Sequence, residues 1–247
     1  YLDRISVTSD QTLTHLKTYT DLKDATDITL MGVSAGSWGG IHHAHQIQNR
    51  FQTASVSFIS LAGWFTHPLN TDRDSMVEMQ NLHGMTVSSL QQTCVNSRTD
   101  IFGSNYQCMF PNLAAQYLDP RVSVFVVFSA WDRVQTTTFF KVNCVNTKTC
   151  SDADMVVLSE NNIKVRNNLL DVRKPQDGFF LTPCFIHGHP KHKIGGLDWL
   201  DALDLWQTNA TDGAGLYMYN ECNGIKAGRD VCPTSPLYNI TCTDVIW

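Results

Sequence analysis

Gly32-Val33-Ser34-Ala35-Gly36 is the stretch of sequence that decides the fold of this chain. It has the pattern G-x-S-x-G. Residues 28–31 before it form a short apolar run, and residues 41–51 after it are typical of a helix. A strand, a sharp turn and a helix in this order push the serine hydroxyl out at the carboxyl end of the strand. We expect glycine at both ends of the turn, because a Cβ at either position would collide with a neighbouring strand or helix.

Apolar runs elsewhere in the chain predict the rest of an α/β fold. Further buried strands are expected over residues 53–65, 121–129 and 178–186, and helices around residues 13–22 and over residues 159–171 and 197–206. Together with the pentapeptide, these elements indicate an α/β-hydrolase-like fold, with a mostly parallel sheet and helices on both faces. We expect one domain over residues 1–247. The polar insertion 66–104, with a helix at 76–90, is predicted to be a lid or pocket wall, and the tail from Tyr219 to be irregular.

Composition excludes several classes of protein. Hydrophobic residues make up 43% of the 247 residues and charged residues 17%, which excludes a disordered chain. The net charge of −5 predicts no nucleic-acid partner. The longest apolar run, residues 122–130, is too short to span a membrane.

Cysteines and glycosylation motifs predict a secreted, extracellular protein. The eight cysteines form no C-x-x-C pair, and N-x-[ST] sequons lie at Asn209 and Asn239. An even cysteine count with sequons is typical of a disulfide-stapled protein of the secretory pathway. The chain begins at Tyr1, so we expect an amino-terminal piece to be removed or not included. A monomer is expected.

A serine nucleophile needs an imidazole base, and that imidazole needs a carboxylate. In α/β-hydrolases the three follow in the order nucleophile, acid, histidine. Asp132 comes just after the strand 121–129, and His187 comes just after the apolar run 178–186. Asp119 precedes its strand and Asp171 lies in a helix–turn context, so Ser34, Asp132 and His187 are the predicted triad.

Other residues near the turn have predicted roles. The backbone N–H of Ala35 is expected to be one oxyanion donor. Trp64 and Phe65, after the second strand, either line the substrate pocket or pack in the core; both interpretations stay open.

Two histidine clusters raise the possibility of a metal site. Imidazoles at such spacing can bind zinc, but glycine and proline make the second cluster a loop, with no carboxylate or cysteine at ligand spacing. We therefore predict no metal and no cofactor. The clusters are His42, His43 and His45, and His187, His189 and His192.

Five separated segments carry the resemblance to a known family. They are Gly32-Val33-Ser34-Ala35-Gly36, Ser60-Leu61-Ala62-Gly63-Trp64-Phe65, Cys94 with Cys108-Met109-Phe110-Pro111, Ser129-Ala130-Trp131-Asp132-Arg133-Val134-Gln135, and Cys184-Phe185-Ile186-His187. They are similar to G-x-S-A-G, S-D-x-G-[FW]-F, a cysteine pair ahead of the acid strand, S-x-x-D-x-x-Q and C-x-x-H. From about residue 27 to about residue 206, the chain resembles the pectin acetylesterase family, which includes the Notum-type carboxylesterases that deacylate lipidated Wnt proteins.

The resemblance implies a secreted serine esterase in which Ser34 is the nucleophile, Asp132 the acid and His187 the base. It implies that the substrate is an acyl ester, typically acetyl on pectin, and that Cys94 and Cys108 form a disulfide. The alternatives are a lipase-like or Notum-type protein deacylase with a longer acyl pocket, and an inactive module that binds glycans or acyl groups.

The chain departs from the family at three places. Leu61 stands where the family usually carries aspartate, and Ser37 stands where it carries a second glycine, which we expect to alter the mouth of the turn. About 30 residues precede Ser34. We therefore expect an amino-terminally truncated member that lacks the early strands and the loop supplying further oxyanion donors.

Overall fold

A computed structural model describes residues 2–66, 90–97, 104–142, 144, 150–182, 184–188, 192–210 and 215–219. Its centre is a sheet of parallel strands in the order β1-β2-β3-β4-β5. The strands are β1 (Asp27–Val33), β2 (Ser55–Leu61), β3 (Ser123–Ser129), β4 (Gly178–Thr182) and β5 (Leu216–Tyr219).

Helices connect the strands. The α-helices are α1 (Leu2–Tyr19), α2 (Ala35–Arg50), α3 (Gln92–Ser97), α4 (Pro111–Ala114), α5 (Arg133–Thr138), α6 (Asp152–Val172) and α7 (Trp199–Ala210). Short 3-10 helices occupy Asp21–Asp24, Ser104–Met109 and Ala115–Tyr117.

The sheet is covered on both faces, as the sequence predicted. Alternate residues of β3 point to opposite sides. Val124, Val126 and Phe128 belong to one apolar cluster with residues of α2 and α6. Phe125 and Val127 belong to a second cluster with residues of α7. Because both faces of β3 are buried, the sequence of this strand is a continuous apolar run.

Several boundaries differ from the sequence prediction. Helix α6 begins seven residues earlier than predicted, at a capping box in which Ser151 accepts from the backbone N–H of Asp154 and the Asp154 carboxylate accepts from that of Ser151. Strand β4 ends at Thr182; Pro183 follows it and has no N–H to continue the ladder. Strand β5 was not predicted, because four residues are too few to establish a period.

Disulfides staple the fold. Cys94, in α3, is bonded to Cys108 with a Cα–Cα distance of 5.9 Å, which confirms the predicted pair. A second disulfide joins Cys144 to Cys150, and Cys184 is disulfide-bonded as well.

Some predictions fall wholly or largely outside the described residues. The helix at 76–90, most of the lid 66–104, the sequon at Asn239 and the tail beyond Tyr219 lie there. Asn209 lies in the last turn of α7. Single-domain organisation, a monomeric state and glycosylation stay predictions. Within the described ranges, no helix is long and apolar enough to cross a bilayer.

Helix α2 carries a buried histidine, His42. The Nε2 of His42 lies 3.3 Å from the carbonyl oxygen of Met109, which also accepts a hydrogen bond from the indole of Trp38. Burial lowers the pKa of His42 to about 4, and the bond to Met109 opposes this shift only in part. The folded chain therefore favours the neutral imidazole.

We expect His42 to make the protein sensitive to acid. Its pKa rises to an ordinary value near 6.5 on unfolding, so the unfolded chain binds the extra proton between about pH 6.5 and 4. Stability is complete above that window and falls as the pH drops through it, by about 3 kcal/mol from this group. Urea unfolding of the parent and His42→Gln, which keeps an amide donor, measures the difference. His15→Gln is the control, because His15 lies at an exposed position of α1. If the free energy of unfolding changed equally with pH in the parent and in His42→Gln, the prediction would be contradicted.

Candidate active site

The turn at residues 32–36, called the elbow below, has a strained backbone at its central residue. Ser34 has φ 50° and ψ −119°, a region that residues with a Cβ rarely occupy. Its backbone N–H donates to the carbonyl of Leu61 at 2.8 Å, which ties the elbow to the end of β2. Helix α2 starts at the next residue, Ala35, so its N–H is among those at the helix terminus that lack an acceptor within the helix.

The two glycines of the elbow differ. A Cβ on Gly32 would lie 2.4 Å from the carbonyl oxygen of Gly36 and 2.5 Å from the Cα of Ser37, so glycine is required there. A Cβ on Gly36 would meet nothing within 4 Å, so the expected collision at this end is wrong. The described structure instead leaves open space beside Gly36, on the turn that follows Ser34.

Ser37 lies beneath the elbow rather than at its mouth. It is buried, and its hydroxyl lies 2.5 Å from that of Ser60 on β2. Gly63 packs against it: a Cβ on Gly63 would be 2.4 Å from the Cβ of Ser37 and 2.5 Å from the carbonyl oxygen of Ser34. Ser37 therefore supports the turn from below.

The structure brings the three predicted triad residues together. The Oγ of Ser34 lies 2.8 Å from the Nε2 of His187, and the Nδ1 of His187 lies 2.8 Å from the Oδ2 of Asp132. Asp132 is fully buried, whereas the side chain of His187 is 18% exposed. Because a carboxylate only accepts hydrogen bonds, Nδ1 carries the proton and Nε2 is free to accept from the serine hydroxyl.

Asp132 is held by the helix that it caps. Its Oδ1 accepts from the backbone N–H of Gln135 at 2.9 Å, which makes Asp132 the N-cap of α5. Burial raises the pKa of the Asp132 carboxyl, and the hydrogen bond from His187 opposes that shift. Each oxygen of the carboxylate therefore has its own partner, one in α5 and one in the imidazole.

The competing carboxylate, Asp119, lies before β3, away from the elbow end of the sheet. It forms an ion pair with Arg121 at 2.8 Å, and this hydrogen bond lowers the pKa of Asp119 to about 2. Asp132 and not Asp119 therefore lies at the end of the sheet that carries the elbow, as expected from the order of the strands.

Backbone hydrogen bonds join the loop that carries His187 to the loop that carries Asp132. The N–H of Ala130 donates to the carbonyl of Thr182 at 2.9 Å, and that of Arg133 donates to the carbonyl of Ile186 at 3.1 Å. The hydroxyl of Ser129 donates to the carbonyl of Cys184. These bonds fix the distance between the carboxylate and the imidazole.

Phe65 and Trp64 are both buried, and one of them also lies near the imidazole. The ring of Phe65 lies nearly parallel to the imidazole of His187, with centroids 6.2 Å apart and an angle of 13°. Phe65 also makes edge contacts with Trp38 and Phe139, at 5.3 and 5.7 Å. Trp64 is 2% exposed and belongs to the apolar cluster that includes α2 and α6. Phe65 is 3% exposed and belongs to the same cluster, so both rings pack in the core, and Phe65 also lies beside the imidazole.

Five of the six histidines in the two clusters lie within the described ranges, and His189 lies outside them. No group of three histidine, cysteine, aspartate or glutamate side chains within those ranges is placed to hold an ion. His42 instead bonds to a backbone carbonyl. Burial lowers the pKa of His192.

A family comparison matches residues 8–209 with the model for pectinacetylesterase. The chain belongs to the pectinacetylesterase family. Two crystal forms of the Wnt deacylase Notum from Drosophila have a similar fold, each with 19% sequence identity and a TM-score of 0.62. The matches cover 80% and 84% of this chain, and 57% and 60% of the Notum chains. The chain therefore spans less than two thirds of those structures. No curated protein matches it.

Two buried polar residues near the triad were given no role by the sequence. Gln135 bonds to Thr66 through its side chain, and Asn161 of α6 bonds to Gln135. A signal exists for the first: Asp132 and Gln135 have the D-x-x-Q spacing of an N-cap and its third helical residue. No local pattern marks Asn161, since its partners are 26 and 31 residues away.

Proposed function

We propose that this protein is a serine carboxylesterase that hydrolyses acyl esters, with Ser34, His187 and Asp132 as its catalytic triad. The observation that carries the proposal is the chain of two 2.8 Å contacts from the serine hydroxyl through the imidazole to the buried carboxylate. Membership of the pectinacetylesterase family supports the ester as the bond that is cleaved.

In the first half of the reaction, the Oγ of Ser34 attacks the ester carbonyl while its proton passes to the Nε2 of His187. The carbonyl oxygen becomes an oxyanion that the N–H of Ala35 stabilises. Asp132 stabilises the imidazolium through the proton on Nδ1. The alcohol then leaves with the proton from Nε2, and the acyl group remains on Ser34.

In the second half, water replaces the alcohol. His187 takes a proton from the water, whose oxygen attacks the acyl carbonyl, and returns that proton to the Oγ of Ser34 as the acid leaves. No redox step occurs, so these residues need no cofactor for either half. Among the described residues, nothing lies within 4 Å of the place where a Cβ on Gly36 would be, which supports access of a substrate to the turn that carries the nucleophile.

We further propose acetyl esters on a polysaccharide such as pectin as the substrate, and the outside of the cell as the place of action. The family match supports the substrate. The disulfides Cys94–Cys108 and Cys144–Cys150 support an oxidising compartment.

The test is acetate release from acetylated pectin by the full-length protein, run beside p-nitrophenyl esters of increasing acyl length. We expect acetate release and the highest kcat/KM for the acetyl ester. A preference for long acyl chains would replace the pectin assignment with lipase-like or protein deacylation. A folded protein inactive on every ester would contradict an esterase and favour a binding module.

A further inference from the structure

Gln135 connects two parts of the candidate site through different atoms. It is fully buried in α5, three residues after Asp132. Its backbone N–H donates to the Oδ1 of Asp132 at 2.9 Å. Its side chain points elsewhere, so a single residue reaches two separate segments.

The side-chain amide of Gln135 has a partner at each end. Its Oε1 accepts from the backbone N–H of Thr66 at 2.7 Å, and its Nε2 donates to the Oδ1 of Asn161 at 3.1 Å. Asn161 in turn donates to the carbonyl of Ala130 at 3.2 Å. Thr66 and Asn161 are buried as well, so water cannot replace these bonds cheaply.

The segment held by this amide carries the ring beside the imidazole. Thr66 directly follows Phe65, whose ring is almost parallel to that of His187. Fixing the backbone at Thr66 therefore fixes the ring of Phe65. That ring lies nearly parallel to the imidazole, with centroids 6.2 Å apart, while the Nδ1 of His187 is bonded to Asp132.

We propose that Gln135 is a positioning residue for His187. Its side-chain amide holds Thr66, and thereby Phe65, against the imidazole, while its backbone N–H orients the carboxylate of Asp132. The two actions keep Nδ1 directed at Asp132 and Nε2 directed at Ser34. This role rests on the proposed esterase function, but it concerns the orientation of the imidazole, which can be observed without any turnover.

Substitution by methionine tests the amide alone. Gln135→Met keeps the length of the side chain and the backbone bond to Asp132, but leaves the N–H of Thr66 without an acceptor. Gln48→Met is the matched control. Gln48 is also fully buried and makes two side-chain bonds of 3.2 Å, to the carbonyls of Phe51 and Ala54, at the opposite end of α2 from the elbow.

Two readouts separate orientation from stability in the full-length protein. The ¹⁵N NMR shifts of His187 report which ring nitrogen carries the proton, and a fluorophosphonate probe reports the reactivity of Ser34. In Gln135→Met we expect a mixture of tautomers, an altered pH profile of labelling and a labelling rate about 10- to 100-fold lower. Gln48→Met is expected to match the parent in both.

Phe65→Leu tests the contact between the ring of Phe65 and the imidazole of His187. It removes the ring beside His187 and leaves the amide of Gln135 in place. If Gln135 acts through Phe65, the variant that carries both Gln135→Met and Phe65→Leu reacts with the probe no more slowly than Phe65→Leu alone, because the two changes are coupled. Should Gln135→Met not fold, the tautomer change in Phe65→Leu carries the test.

The outcomes are distinct from those of the esterase proposal. A parent protein that does not react with the probe, but whose His187 changes tautomer in Gln135→Met, contradicts the esterase and leaves the positioning role intact. Unchanged shifts and labelling in folded Gln135→Met would overturn the positioning role. So would equal changes in Gln48→Met, since they would reveal a general loss of stability.

Discussion

Replacing Ser34 by alanine is expected to lower kcat by about 10⁶-fold and to abolish labelling by a fluorophosphonate. The hydroxyl of Ser34 lies 2.8 Å from the imidazole of His187, and without this hydroxyl the acyl-enzyme cannot form. The protein should fold as before, because the hydrogen bond that ties the elbow to the end of β2 is donated by the backbone N–H of Ser34 and not by its side chain. Initial rates on p-nitrophenyl acetate and intact-mass analysis after labelling measure the two effects.

Ser57→Ala is the control for this substitution. The hydroxyl of Ser57 bonds to that of Ser123 at 2.9 Å, near the start of β2 and β3 and at the other end of the sheet from the elbow. Its removal should leave hydrolysis and labelling unchanged. Residual hydrolysis in Ser34→Ala close to that of the parent would show that another group is the nucleophile.

The second large effect is expected from Asp132→Asn. Asparagine accepts at an N-cap as well as aspartate does, so the bond to the N–H of Gln135 and the start of α5 should survive. The amide N–H₂ would, however, face Nδ1 and favour the tautomer with the proton on Nε2, which cannot accept from Ser34. We expect kcat to fall by about 10⁴-fold while the thermal midpoint changes little.

Two further variants test whether the loss of activity is separate from any loss of stability. Asp132→Ala removes the cap together with the acid and should also cost about 1 kcal/mol of stability. Asp119→Asn should retain full activity, because Asp119 lies before β3 in an ion pair with Arg121. An active Asp132→Asn would contradict the assignment of the acid.

The central strands and the convergence of Ser34, Asp132 and His187 could be predicted from local sequence. The run ending at Ser129 is apolar on both faces and ends just before Asp132, and parallel strands bring their carboxyl ends to one edge. In the same way, Ser34 follows β1 and His187 lies beyond β4. The interiors of strands β1 to β4 and of helices α2, α6 and α7 followed from periodicity, which is a local property.

Contacts between distant segments could not be predicted in the same way. The parallel approach of Phe65 to His187 depends on how Gln135 holds Thr66, which is 69 residues away in sequence. The burial of Ser37 against Gly63 depends on the packing of α2 against β2. Side-chain volumes and angles decide such contacts, and a hydrophobic pattern does not encode them.

The double use of Asp132 has a consequence for how this position can change. A library screened only for folded protein would retain residues that cap α5, with aspartate, asparagine, serine and threonine foremost among them. One nucleotide separates an aspartate codon from an asparagine codon. Neutral drift at this single site can therefore silence the chemistry while every measure of folding stays normal, so an inactive descendant would be recognised by its residue at position 132 and not by its stability.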